Sequence, residues 1–239
     1  AAVAPALFCA HESTALEQIL ELPIPQRDEA YSQICDYILR KHLPSDPYDR
    51  SADRGYDVSF EDVVDICNIM ELMDVDGVIY HYVTCIGDSV AGRRAGDRFT
   101  RQQSADIANR LTKVVQAKLP NSRHIKHDGY KVAALAQVGR IRRLKTEEWL
   151  DLVDAARGLP NLSDRALVLC MVASAMPKKE YDRCKQILNE SIELVHKIPA
   201  TMDRIARFED IASMVAGIDG SMSKECLRLA MQSAVETDR

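Results

Sequence analysis

Ser89 lies in the stretch VIYHYVTCIGDSVAG (residues 78–92), within a G-x-S-x-A pattern that a hydrolytic nucleophile could use. Such a serine sits on a strained turn between a strand and a helix. The segment is rich enough in β-branched and aromatic residues to be that strand, but its apolar residues also recur at helical spacing: Val78, Ile79, Tyr82, Val83, Ile86 and Val90. Because the chain offers no other strands for a parallel sheet, we predict a helix and a structural serine. A serine hydrolase at Ser89 is kept as a second alternative.

The residues that could ligate a metal do not group at ligand spacing. His124 and His127, in HIKH, are three apart, but zinc normally takes three or four protein ligands and no others stand nearby. The acidic segment SDPYDRSADRGYD (45–57) lacks the alternating oxygens and final glutamate of a calcium loop. No glycine-rich phosphate loop occurs. We predict no metal, no cofactor and no catalytic site.

The seven cysteines are scattered and never spaced as CxxC. They are Cys9, Cys35, Cys67, Cys85, Cys170, Cys184 and Cys226. Most of them fall on apolar helical positions, where a thiol packs as a small hydrophobe. This usage disfavours a disulfide framework and favours a reducing, cytoplasmic location. No apolar run approaches the roughly 20 residues that cross a bilayer, so no membrane association is expected.

The distribution of charge is the strongest functional signal. Residues 93–145 contain fourteen basic and three acidic residues, whereas residues 1–92 contain five basic and seventeen acidic residues. This basic band (residues 93–145) is interpreted either as a docking surface for phosphates or an acidic protein, or as the counter-charge of the acidic first 92 residues. On the docking interpretation, the candidate contact residues are Arg93, Arg94, Arg98, Arg101, Arg110, Lys113, Arg140, Arg142 and Arg143.

The elements that would position these residues are helices. Aromatic residues make up 5% of the chain and glycines number 10, a balance that favours helix over sheet. From Tyr181 to Lys197 the apolar residues form one stripe, comprising Tyr181, Cys184, Ile187, Leu188, Ile192 and Val195. Thr146 with two following glutamates predicts a helix start, and Gly158 with Pro160 a stop. The segment ALVLCMVASAM (166–176) is apolar all round and should lie between neighbours on both sides.

Internal repetition organises these helices. Helical segments end alike at Pro120, Pro160 and Pro199, which are 40 and 39 residues apart. The segments after Pro160 and Pro199 begin with a similar pattern, SDRALVLCMVASAM and MDRIARFEDIASMV, which we call the restart pattern. The helices that follow these segments also resemble each other, with CKQILNES in one and CLRLAMQS in the other. We predict loop insertions at 43–57 and 92–103, an acidic N-terminal helical part (1–104) and a helical-repeat part (105–239), joined in one solenoid.

The restart pattern resembles HEAT-like and tetratricopeptide-like helical repeats over roughly residues 105–236. The resemblance implies an all-α, right-handed α-solenoid of antiparallel helix pairs, with a repeat of about 40 residues. It also implies a curved surface that binds a protein or a nucleic acid.

We therefore expect a non-catalytic interaction scaffold, a sensor or adaptor module of a larger protein or complex, with an acidic protein as its main partner. The first alternative is a nucleic-acid-binding HEAT-like protein, including the DNA-repair glycosylase type, that uses the basic band.

Overall fold

The computed structural model describes residues 12–40, 58–91, 98–119 and 127–237. These residues are 84% helical and contain no strand, which confirms the all-α prediction. They form eleven α-helices and one short 3-10 helix. None of the described helices is both long and apolar enough to cross a membrane. The chain divides into two compact units, residues 1–120 and residues 121–239, and the predicted division at 104/105 falls inside a helix of the first.

Unit 1 (residues 1–120) contains five described helices. They are α1 (Glu12–Leu20), α2 (Ile24–Arg40), α3 (Phe60–Met70), α4 (Asp76–Ala91) and α5 (Arg101–Lys118). Helix α3 packs against α2, α4 and α5, and so lies at the centre of this unit. Its apolar interior includes Tyr31, Ile34, Ile66, Met70, Ile79, Tyr82, Ile86, Ile107 and Leu111.

Side-chain caps fix the start of two helices in unit 1. Ser59 accepts a hydrogen bond from the N–H of Asp62, and the Asp62 carboxylate accepts one from the N–H of Ser59. Thr100 and Gln103 make the same reciprocal pair ahead of α5. Because this cap starts α5 at Arg101, the predicted loop 92–103 is wrong for its last three residues. Residues 92–97 and the predicted loop 43–57 lie outside the described residues.

Unit 2 (residues 121–239) contains six described α-helices arranged as three consecutive pairs. They are α6 (His127–Arg142) with α7 (Thr146–Arg157), α8 (Leu162–Ala175) with α9 (Tyr181–His196), and α10 (Thr201–Val215) with α11 (Gly220–Thr237). The 3-10 helix Lys178–Glu180 joins α8 to α9. Helix α8 packs against α6, α7, α9 and α10. This central position explains why the segment 166–176 is apolar all round, as predicted.

Polar contacts hold the second helices of successive pairs side by side. The Thr146 hydroxyl, at the start of α7, lies 2.8 Å from Glu180, just ahead of α9. Arg157, at the end of α7, forms an ion pair of 2.7 Å with Glu190 on α9. The Tyr181 hydroxyl, at the start of α9, donates to Asp219, just ahead of α11, at 3.2 Å. Helices α7 and α9 therefore run in the same direction, and the turns that precede α7, α9 and α11 are neighbours.

Helix α9 buries most of the stripe predicted for it. Cys184, Ile187, Leu188 and Val195 are buried, and Ile192 is partly buried. Tyr181 is the exception, since it is 42% exposed. Its hydroxyl is directed to Asp219 instead of the core, which a purely apolar interpretation of the stripe does not anticipate.

Candidate functional site

Ser89 lies near the end of helix α4 and is buried. Its hydroxyl donates a hydrogen bond of 2.8 Å to the carbonyl of Cys85, one helical turn earlier. Residues 78–86, which a nucleophile elbow would need as a strand, are helical. The serine therefore satisfies its hydroxyl locally, as serines inside helices do, and it does not lie on an elbow.

The described cysteines are buried, and Cys85 lies 3.6 Å from the His81 ring, one helical turn earlier on α4. Six cysteines are free and buried, and burial raises the pKa of the Cys67 and Cys170 thiols to about 12. Thiols with such pKa values are protonated at neutral pH and are poor nucleophiles. Among the described residues no three His, Cys, Asp or Glu side chains are grouped to hold a metal. His124 and the acidic segment 45–57 lie outside the described residues.

In unit 1 the basic band follows helix α5 without forming one exposed face. Arg101 and Lys113 are exposed, but at 100° per residue they point about 120° apart around the helix. Arg110 donates to Asp106 at 2.9 Å, and this hydrogen bond, with Glu71 nearby, raises the pKa of the Arg110 guanidinium. Arg98 is exposed, while Arg93 and Arg94 lie outside the described residues.

Lys118, another residue of the basic band, lies in a polar cluster around Asp74. Arg27 pairs with the Asp74 carboxylate, and Lys118 approaches it to 3.7 Å. The N–H of Asp74 donates to the buried carboxylate of Asp28 at 3.0 Å. Burial raises the pKa of Tyr31, whose hydroxyl has no partner among the described residues. Lys118 is thus a residue of the basic band that contacts an acidic residue of the first 92.

In unit 2 the basic band is concentrated where α6 turns into α7. Arg142, Arg143 and Lys145 are exposed, and Arg140 donates to Gln137 at 2.8 Å. Arg143 has a φ of 56°, in the left-handed region that favours glycine. The N–H of Leu144 donates to the carbonyl of Gly139 at 3.2 Å, which closes the helix end as a Schellman motif with arginine in place of the usual glycine.

The α6–α7 turn is locked by packing beneath it. A β-carbon added at Gly139 would lie 2.7 Å from Cδ1 of Leu144 and 3.1 Å from Cη2 of Trp149. Trp149 is 1% exposed, so its ring has little room to move. The backbone before Arg142 and Arg143 is thus closely packed against Leu144 and Trp149.

Two exposed lysines that the sequence pattern did not single out lie on the next turn. Lys178 and Lys179 belong to the 3-10 helix before α9 and are exposed. The contact between Thr146 and Glu180 makes this turn a neighbour of the α6–α7 turn. We define the turn edge as Arg142, Arg143, Lys145, Lys178 and Lys179. The regular spacing of the helix pairs would have identified these lysines, because it aligns the turn before α7 with the turn before α9. The basic band was defined as a contiguous stretch of sequence, so it stops at residue 145.

Acidic residues are interleaved with the turn edge. Glu147 and Asp182 are exposed in the first turns of α7 and α9, where carboxylates complement the helix dipole. Glu180 is engaged by Arg183 at 2.6 Å and by Thr146. The turn edge is therefore a group of basic side chains whose charge is partly offset by neighbouring carboxylates.

Among the described residues next to the turn edge, Tyr181 is an exposed aromatic side chain, at 42%, and its hydroxyl donates to Asp219. Trp149 and Phe99 are buried, whereas Tyr130 is 38% exposed. A pocket that recognises an extruded base needs aromatic faces and a carboxylate. The described residues do not bring these groups together.

No family model, curated protein or solved structure matches the chain.

Proposed function

We propose that the protein is a non-catalytic helical scaffold whose turn edge binds an acidic surface of a partner protein. In this proposal it serves as an adaptor module in the cytoplasm. The helix pairs of unit 2 stack as a right-handed α-solenoid of the HEAT-like or tetratricopeptide-like kind.

The helix positions and contacts support stacking. Helices α6, α8 and α10 begin at residues 127, 162 and 201, which are 35 and 39 residues apart. Helices α7, α9 and α11 begin at residues 146, 181 and 220, with the same two spacings. Neighbouring first helices pack together, since α8 contacts both α6 and α10. Regular spacing with nearest-neighbour packing is what a solenoid requires.

The observation that carries the proposed surface is the conformation of Arg143. An arginine with φ of 56° is disfavoured by about 1 kcal/mol relative to glycine at the same position. Backbone outliers of this kind persist only where the surrounding structure imposes them, and they are over-represented at functional sites. Arg143 makes the turn edge more basic at a position where glycine would make the fold more stable.

The first test compares two double variants of equal charge change. Arg142→Gln with Arg143→Gln removes two charges from the turn edge, and Lys197→Gln with Lys224→Gln removes two exposed charges elsewhere in unit 2. Binding to fluorescent poly-L-glutamate, measured by anisotropy at low salt, should weaken several-fold for the first variant and stay unchanged for the second. Equal weakening in both variants would show attraction by net charge alone and would refute a defined surface.

The Arg143→Gly variant should change stability and binding in opposite directions. Glycine relieves the left-handed backbone and should raise the free energy of unfolding by up to about 1 kcal/mol, while it removes one charge from the turn edge. We expect a variant that unfolds at higher urea concentration and binds poly-L-glutamate more weakly. Tighter or unchanged binding would contradict a role for Arg143.

A labelled DNA duplex serves as the second probe and distinguishes the partner class. The nucleic-acid alternative replaces the acidic-protein proposal if the duplex binds more tightly than poly-L-glutamate. In that case the log–log salt slope should also fall by about one unit for each phosphate that a charge-removing variant no longer neutralises. We expect weak duplex binding, because among the described residues Tyr181 is the one exposed aromatic side chain beside the turn edge, and stacking of successive bases needs several.

A further inference from the structure

Helix α11 presents an exposed apolar stripe. Leu227, Met231 and Val235 follow one another at intervals of four residues and are 47%, 72% and 58% exposed. Side chains four apart lie on the same face of a helix, so the three form one continuous row. Single exposed apolar residues are common, but an aligned row of three on one helix is not explained by chance exposure.

Helix α9 provides an internal comparison for this row. The shared pattern of CKQILNES and CLRLAMQS aligns α9 with α11, and the aligned residues Cys184 and Cys226, Leu188 and Ala230, and Ser191 and Ser233 are all buried. In the same alignment, Leu227, Met231 and Val235 correspond to Lys185, Asn189 and Glu193, which are exposed. The same outer face is thus polar on α9 and apolar on α11.

A further helix pair stacked after α11 would reach only the Leu227 end of this row. Helix α9 already has such a neighbour, because the α10–α11 pair follows it and α9 packs against α10. Lys185, which aligns with Leu227, lies 4.0 Å from Asp219 of that pair, whereas Asn189 and Glu193 remain exposed without such a contact. Met231 and Val235 therefore face outwards, and their occupant approaches from the side.

We propose that the row on α11 is a self-association surface, on which α11 of a second copy packs antiparallel about a two-fold axis through Met231. Leu227 and Val235 each lie four residues, or about 6 Å, from Met231. A two-fold axis at Met231 therefore places Leu227 of each copy against Val235 of the other. This reciprocal pairing is what an isologous contact demands.

Charge complementarity supports the antiparallel direction. Lys224 is exposed and lies one turn before Leu227, on the side of the row, while the last turn of α11 contains no basic residue. An antiparallel partner brings Lys224 to the C-terminal end of the other α11, where the helix dipole attracts a cation. A parallel partner would place the two Lys224 side chains together.

Three side chains from each copy make a small interface. Stable dimers bury about 800 Å² on each partner, so contact through one helix face predicts weak, reversible association. This inference is independent of the turn edge, since it concerns another part of unit 2.

Sedimentation equilibrium of the full chain tests the inference over roughly a hundredfold range of concentration. The average mass should rise from that of the 26.8 kDa monomer towards the dimer. Met231→Glu should weaken association at least about tenfold, because it places two carboxylates at the centre of the contact. Asn189→Glu, at the aligned exposed position of α9, should leave association unchanged. A wild-type protein that is monomeric at every concentration, or that associates equally well as Met231→Glu, would overturn the proposal.

Cross-linking tests the position of the axis. In a Met231→Cys variant, a short bis-maleimide should join two copies, because the two introduced thiols face each other. The described native cysteines are buried, and Asn189→Cys is the matched control for reagent access. Cross-linking of Asn189→Cys but not of Met231→Cys would refute the α11 contact even if the protein dimerises.

Discussion

Gly139 is the residue at which the α6–α7 turn leaves least room. An alanine there adds a methyl group close to Leu144 and Trp149, which costs about 1–3 kcal/mol by overpacking, against a gain of about 1 kcal/mol in helix propensity. We expect Gly139→Ala to lower the free energy of unfolding by about 1 kcal/mol in urea titrations. Gly77→Ala in α4, where no atom lies within 4 Å, should be neutral or stabilising. A stabilised Gly139→Ala would mean that the turn is looser than its packing indicates.

Single residues were predictable from the sequence when their neighbours along the chain determined their environment. Ser89 is structural because residues 78–90 repeat at helical spacing, and that spacing is visible in the sequence. The left-handed conformation of Arg143 was not predictable, because arginine gives no local signal for it. The contact between Lys118 and Asp74 was not predictable either, because the two residues are distant in the sequence and come together only in the folded structure.

At the scale of elements, Asp219 caps helix α11. The Ser221 hydroxyl, the N–H of Met222 and the N–H of Ser221 donate to its carboxylate and hold the pKa of Asp219 at about 2, below the usual value near 4. A carboxyl whose pKa is lower in the folded state stabilises the fold above about pH 4, and this contribution disappears as the pH falls towards about 2.

Asp219→Ala should therefore unfold at lower urea concentration than wild type at about pH 7, and the difference should shrink between about pH 4 and pH 2. Urea titrations of both proteins across this pH range measure it. A difference that does not change with pH would show that the charge of Asp219 has no part in the cap.

A substitution in helix α9 tests the packing of the core. Leu188 is 1% exposed within the core that α9 shares with α8. Leu188→Ala should lower the free energy of unfolding by about 2–5 kcal/mol, since truncation leaves a cavity. Asn189→Ala, at the adjacent exposed position, should change it by less than about 0.5 kcal/mol. Circular dichroism during urea titration measures both, and similar midpoints for the two variants would contradict the burial pattern of α9.

At the scale of the whole molecule, the helical class and the ends of α7 in unit 2 were predictable. Periodic apolar residues and the signals at Thr146 and Gly158 are local, and the structure places α7 between them. The two neighbouring turns that form the turn edge were not predictable, because their proximity depends on how α7 and α9 pack. The exposed row on α11 was also missed, since Leu227 and Met231 look like core residues until their burial is known.

The burial of Trp149 gives the molecule a built-in optical reporter. It is the only tryptophan in the chain, it lies in unit 2, and its indole is shielded from water. Selective excitation at the red edge of the absorption band therefore reports on unit 2 alone, while the tyrosines of unit 1 stay silent. Emission from this one ring can follow the disruption of the α6–α7 packing without any label being attached.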